Sequence, residues 1–347
     1  MVENNNKDLE EPLLQKEKAP TQEKQKILFG HVIGCSLLIG IQNFFYALSD
    51  DDDFELIFLS FSGFLLISLI FKFLQIKQSK QTSKNFSQQM IEVFMRGMSS
   101  REILLHNIFR ALNFFAYIYL LIVITNLCKK ANLNIGIAMS LLCFSIVFQI
   151  IFGWLYFREK LSKTMIFGIL IIISGVSWVS IAKNQEINSN IPTQQEVQNQ
   201  NQFYLRLQVV GLSIFCAFLS CTRGIQAKYL YLKIGYNPYD FSVDCGFQCA
   251  IICLPFFLYY FITGYPKYNT QNFVIGFLTS VPMMLTSLLG LTAVVKGPMG
   301  PSMAIIQTHS ICSAILGAVF LNMIPNLEQV MAMLLVVAGA MVVFLFK

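Results

Sequence analysis

Charged side chains are scarce in this chain of 347 residues, where Asp, Glu, Lys and Arg together make up 13% against about 25% in a soluble domain. A soluble protein of this length buries a large core but still covers it with charge, so the shortage excludes an ordinary globular domain. Histidines number only three, and they are scattered, which leaves no His-rich metal cluster. No paired-acid helix motif occurs, and no nucleophile has a base near it in sequence, so the common enzyme signatures are missing. No metal and no cofactor is expected. No cleavable leader is expected either: residues 1–26 are polar and mixed in sign, and the first apolar run lacks a small-residue cleavage site. Most of the nine cysteines lie inside apolar runs, which argues against a secreted disulfide framework.

What the chain has instead is apolar length. Apolar residues make up 55% of it, and a membrane-spanning helix needs roughly 20 of them in a row. Ten stretches qualify: 27–48, 54–74, 103–127, 134–157, 164–183, 207–230, 240–263, 272–295, 300–321 and 327–346. The expected fold is therefore an all-α polytopic membrane protein. With the N-terminus in the cytosol, 18 Lys and Arg fall on inside segments and 5 on outside ones, so both termini are expected inside. The net charge of +6 follows from this placement and does not point to nucleic acid.

The segments between spans are also informative. Residues 184–206 are rich in Asn and Gln and read as a polar, disordered linker between two halves. Residues 86–98 place Phe86, Met90, Val93 and Phe94 on one helical face, as in a helix lying on the cytoplasmic leaflet. Asp50 to Asp53 form an acidic run without the alternating ligands, Gly and closing Glu of a calcium loop, which favours a solvated charge run. The tail segment Glu10-Glu11-Pro12-Leu13-Leu14 is similar to an acidic dileucine sorting signal, although Leu9 stands where the acid is usual, and an ordinary tail is the preferred reading. The membrane is thus left open between plasma membrane and endosomal or vacuolar membrane.

A repeat emerges on sliding the last fifty residues onto residues 134–183 with a constant offset of 164. Gly136, Gly153 and Gly175 then fall on Gly300, Gly317 and Gly339, with Met139 on Met303 and Ile151 on Ile315. Glycine in a spanning helix usually marks close backbone packing, so three coincidences carry more weight than apolar matches. Five spans per copy put the second copy upside down in the bilayer. The loops agree, since residues 157–163 are basic whereas residues 321–327 have no basic residue. The organisation read here is a tail over 1–26, a first five-helix repeat over 27–183, the linker over 184–206 and a second repeat over 207–347.

These features resemble the EamA branch of the drug/metabolite transporter superfamily. The resemblance is carried by Arg110-Ala111-Leu112, Tyr117, Ala138-Met139-Ser140, the turn Phe157-Arg158-Glu159-Lys160-Leu161-Ser162, and Gly168 through Gly175-Val176. In the second half Met323 replaces the turn glutamate, while Pro325 and Gly339 fit. The resemblance implies alternating access around a central cavity, with the fifth and tenth spans peripheral and open to homodimer formation. It also implies a small-molecule substrate, of a type that ranges in the superfamily from amino acids and nucleotide sugars to cations.

Ionisable side chains within spans are costly, at least about 2.5–3.5 kcal/mol each, and ask for a reason. Arg110 and Arg223 lie about 10 Å inside the cytoplasmic ends of their apolar stretches. They read either as a pair that binds an anion or as snorkelling side chains. Asp244 on the seventh span reads as an ion-pair partner of Arg223 or as a proton-coupling carboxyl. Arg110, Asn113 and Tyr117 share one helix face, as do Arg223 and Gln226, and polar faces should turn away from lipid. Gln307 and His309 on the ninth span, Gln42 and Asn43 on the first and Gln248 on the seventh are further cavity candidates, whereas His31 and His106 read as interfacial. Cys245, Cys249 and Cys253, spaced four apart, suit helix packing better than metal binding. Pro282 and the Pro298–Pro301 segment suggest a kink and a rigid turn. The expected function is transport of a small polar or anionic metabolite, with a non-transporting receptor or scaffold of the same fold as the alternative.

Overall fold

The computed structural model of the protein describes residues 27–48, 56–79, 85–131, 133–159, 161–181 and 192–345. Among these residues every regular element is helical. The tail with its dileucine-like stretch and the acidic run Asp50–Asp53 lie outside the described residues.

All ten expected spans fall on helices. They are α1 (Phe29–Leu48), α2 (Leu56–Ser60) with α3 (Ser62–Ser79), α5 (Arg101–Lys130), α6 (Ile135–Leu141) with α7 (Phe144–Phe157), and α8 (Lys163–Ile181). The second half supplies α9 (Pro192–Ile234), α10 (Pro238–Ile262), α11 (Thr270–Lys296), α12 (Met299–Ile306) with α13 (His309–Leu321), and α14 (Leu327–Leu345). Nine of the spans among the described residues are long and apolar enough to cross a bilayer, and α8 carries a shorter apolar stretch, Lys163–Trp178. The chain is an integral multi-pass membrane protein.

Helix ends follow local chemistry. Ser100 opens α5 by accepting from the Ile103 amide at 3.2 Å, and Asn237 opens α10 just before Pro238, both as N-caps do for amides without an intrahelical partner. The polar segment expected to be a disordered linker is helical from Pro192 onward, as the leading turns of α9. Proline tolerates the first helical turn, and the Gln-rich stretch after it is made of good helix formers. Three apolar runs that hydropathy reads as single spans are interrupted, at Phe61, at Leu142–Cys143 and at Gln307–Thr308.

The 164-residue offset reappears in the backbone. Arg158 and Asn322, both at φ 53°, are the non-glycine residues with positive φ among those described, and they are 164 apart. Each terminates its helix, with Glu159 N–H bonded to Gly153 C=O and Met323 N–H to Gly317 C=O, both at 3.1 Å. Contacts are reciprocal as well. Gly175 lies against Val336 and Ala332 of α14, and Gly339 lies against Ile172 and Gly168 of α8. Gly136 meets Ala314, and Gly300 meets Ile150. Each pair becomes the other when 164 is added to one member and subtracted from its partner, as a local two-fold relation requires. A methyl group on Gly339 would stand 2.8 Å from the Ile172 amide nitrogen and 2.9 Å from the Gly168 carbonyl, so the α8–α14 seam admits only glycine there.

The basic turn after α7 is tied to α9. Glu159 pairs with the buried Lys228, whose ammonium lies 5.5 Å from the Phe157 ring centroid. At the two-fold counterpart Asn134 Nδ2 donates to the carbonyls of Ala314 (3.2 Å) and Met323. A main-chain carbonyl thus does for Met323 what the carboxylate does for Glu159.

Residues 86–98 form α4 (Phe86–Met95) and a 3₁₀ turn, Arg96–Met98. The expected single apolar face is split. Val93 is buried and Phe94 packs edge-on to Phe73 and Phe247, while Phe86, Met90, Ile91 and Met95 remain exposed.

Candidate functional site

Arg110 and Arg223 sit deeper than their apolar stretches suggest, because α5 begins at Arg101 and α9 runs on to Ile234. Nine and eleven residues of helix put them about 14 and 16 Å from those ends. Both line an internal cavity of about 90 Å³. Tyr117 lines it as well, and further polar contributions come from Gln42, Gln149, Ser220, Thr286 and Ser287. Phe114, Met283, Met303 and Ile306 supply much of the apolar wall.

The two guanidiniums are held differently. Arg110 is 1% exposed; its Nη1 donates to the main-chain carbonyl of Arg223 at 2.9 Å, and its guanidinium carbon lies 4.8 Å from the Phe241 ring centroid. Arg223 places its guanidinium 4.2 Å from the Phe114 centroid and 4.8 Å from that of Tyr117, within the range of cation–π attraction. Its Nε is buried without a hydrogen-bond partner. Among the described residues neither arginine pairs with a carboxylate.

The other candidates are distributed elsewhere. Asn113 turns to α9, donating to Thr222 Oγ1 at 2.7 Å; it is 60° around the helix from Arg110, enough to reach the neighbour instead of the cavity. Gln226 donates to the His106 carbonyl at 2.5 Å. Gln307 bridges the break before α7, donating to Leu142 C=O at 3.1 Å and Ser145 Oγ at 2.6 Å, which satisfies backbone that an interrupted helix leaves open. Asn43 donates to Ser313 Oγ at 3.4 Å. His309 is buried, with no partner at Nδ1, and does not line the cavity. Gln149, Ser220, Thr286 and Ser287 were not singled out by sequence reasoning, since isolated small polar residues in apolar helices carry little signal.

Asp244 corrects one expectation outright, because its partners are not Arg223. It pairs with Lys72 Nζ at 2.5 Å and Arg96 Nε at 2.8 Å, and it accepts from the Tyr236 hydroxyl at 2.5 Å. Lys72 is fully buried and also donates to Val93 C=O at 2.9 Å. Arg96 reaches Asp240 at 3.1 Å and Gln75 at 3.1 Å, while Gly97 C=O accepts from Asn107 and Gln248. This knot ties α3, α4, α5 and α10 together. Burial works against the charge of Arg96, but Asp244 and Asp240 outweigh it and raise its pKa. Burial, followed by Asp244, pushes the Tyr236 phenol well above its usual range, so it remains a donor. Lys72 lies near the end of the apolar stretch 54–74, and nothing local in the sequence marks its buried partner 172 positions away.

Cys245 Sγ and Cys249 Sγ are 3.9 Å apart in the packed interior of α10. A larger groove of about 440 Å³ lies between α1 and α13, but Ile33, Leu37 and Ile315 leave it open on the lipid-facing side. Its polar pair, Ser36 and Thr308, is bonded internally at 3.0 Å. The convergent polar chemistry is therefore in the smaller, arginine-lined cavity.

Comparison with known proteins bears on the second half above all. No curated protein matches the chain. Among solved structures, one titled only "Crystal structure of protein" superposes with a TM-score of 0.57 at 14% identity, covering 93% of this chain and 100% of its own. At that identity the likeness concerns the fold alone. The profile of the EamA-like transporter family matches residues 207–345, which is consistent with the EamA branch of the drug/metabolite transporter superfamily.

Proposed function

We propose that the protein is a secondary transporter that carries a small organic anion by alternating access through the arginine-lined cavity. One observation carries the reading: Arg110 and Arg223 line the same internal cavity, with no carboxylate paired to either among the described residues. Two cations so placed are unfavourable within a membrane protein unless an anion shares the site. The apolar wall formed by Phe114, Met283, Met303 and Ile306 suits an organic body attached to the anionic group.

The reciprocal contacts at an offset of 164 support two inverted five-helix repeats, the symmetry that allows one site to face either side in turn. The loop charges support cytoplasmic termini. The test is uptake into proteoliposomes of purified protein from a panel of labelled organic anions, cations and neutral solutes. Accumulation of one or more anions, lost on Arg223→Ala with the protein still folded, is expected. Uptake confined to cations or neutral solutes sinks the proposal.

A further inference from the structure

We infer that the two cavity arginines have separate roles: Arg223 is the anion-binding group and Arg110 is a positioning residue, so the site accepts one anionic head rather than two. This rests on the anion-transport reading above and makes its substrate class narrower.

The argument starts from what each guanidinium has already engaged. Arg110 is spent on protein. Its Nη1 holds the main-chain carbonyl of Arg223 itself at 2.9 Å, and its flat face lies on Phe241. The contact fixes the backbone of α9 at Arg223, whose side chain lines the cavity. Phe241 is held in turn against Tyr236, with ring centroids 5.5 Å apart, and Tyr236 is bonded to Asp244. Arg110 therefore leans on a wall anchored by the Asp244 knot.

Arg223 differs on each point. Phe114 and Tyr117 stack near its guanidinium, and aromatic contact of this kind engages the face of the group while leaving its in-plane N–H donors available. Among the described residues no acceptor takes a hydrogen bond from that guanidinium, and its Nε is buried with no partner. A planar fork of free donors in a mostly apolar cavity matches a single carboxylate or phosphate held bidentately. Among the described lining residues the only other cation for a second anionic group is Arg110, and Arg110 is turned to a carbonyl and an aromatic face.

The experiment is binding of butyrate, succinate and methyl phosphate to the full-length protein in nanodiscs, followed by calorimetry and thermal shift. The variants are Arg223→Gln, Arg110→Gln, Arg110→Lys and Phe241→Leu. Butyrate or methyl phosphate is expected to bind at least ten-fold tighter than succinate, and the better of the two tells carboxylate from phosphate. Arg223→Gln should abolish the shift. Arg110→Lys and Phe241→Leu should weaken binding several-fold while leaving the ratio between butyrate and succinate unchanged, a ratio that general loosening of the fold does not preserve. If Arg110→Gln fails to fold, those two variants decide the matter. Tighter binding of succinate, with that preference lost in Arg110→Lys, overturns the division of roles while the anion reading stands. Absence of any anion response in the unaltered protein overturns both.

Discussion

Lys72 and Asp244 meet at 2.5 Å with both side chains almost fully buried, joining α3 to α10 near the ends that carry the basic loops. Each charge is compensated by the other, and Asp244 has Arg96 and Tyr236 besides. Removing one member of a buried pair costs about 3–5 kcal/mol, because the remaining charge is stranded. Asp244→Asn should therefore lower stability by about that amount. Lys72→Met should cost less, since Arg96 still serves the carboxylate. Thermal unfolding in detergent measures both, and equal losses would argue against this asymmetry.

The Tyr236 hydroxyl donates to the same carboxylate, and a hydrogen bond to a charged group contributes about 1.5–3 kcal/mol. Tyr236→Phe should forfeit that much at neutral pH. The folded phenol titrates above the ordinary value of 10.0, so its contribution is complete below that value and is lost as pH rises through the folded pKa. Stability scans against pH should show an alkaline decline in the unaltered protein that is smaller in Tyr236→Phe.

Gly339 sits where an added methyl group would press on the backbone of Ile172 and Gly168. Overpacking of this kind costs typically about 1–3 kcal/mol, and backbone neighbours cannot yield as a side chain can. Gly339→Val should destabilise the protein by at least that, and Gly175→Val, its two-fold counterpart, by a similar amount. Gly211, which has nothing within 4 Å of such a methyl, should tolerate alanine. Melting temperatures of the three variants check the seam.

Arg158 and Asn322 occupy left-handed backbone at matching places. A side chain in that region costs roughly 1 kcal/mol, less for asparagine. Arg158→Gly should be stabilising by up to about 1 kcal/mol, and Asn322→Gly close to neutral. A loss of stability in Arg158→Gly would show that its side chain, rather than its backbone, matters to the turn.

Orientation can be read by glycosylation. Asn85-Phe86-Ser87 is an acceptor sequon in an exposed cap before α4, on the side assigned to the cytosol. It should stay unmodified on expression in a glycosylating cell, whereas a sequon inserted in the loop around Lys267 should be glycosylated. Mobility on a gel with and without glycosidase settles it, and a glycan on Asn85 would invert the topology.

How much was legible in advance differs by feature. The ten spans could be read from sequence because crossing a bilayer demands local apolar length, and length is visible one window at a time. The 164-residue offset was visible for a similar reason: three glycines keep their spacing when the helices that carry them keep theirs. The two arginines stood out because charge inside a span is rare. The breaks at Leu142–Cys143 and Gln307–Thr308 were not legible, since neither contains proline and their open backbone groups are satisfied by each other's side chains.

The sequence by itself determined the membrane class, the positions of the spans and the presence of unusual charge within them. Only the tertiary structure decided which polar residues meet the cavity. Asn113 and Gln226 share helix faces with Arg110 and Arg223, yet they turn to Thr222 and His106, while Gln149 and Ser220 line the cavity instead. It likewise gave Asp244 to Lys72 and Arg96 rather than to Arg223. The physical reason is that a side chain's partner depends on how each helix is rotated against neighbours far away in sequence. That rotation is set by packing of the whole bundle, not by any local run of residues.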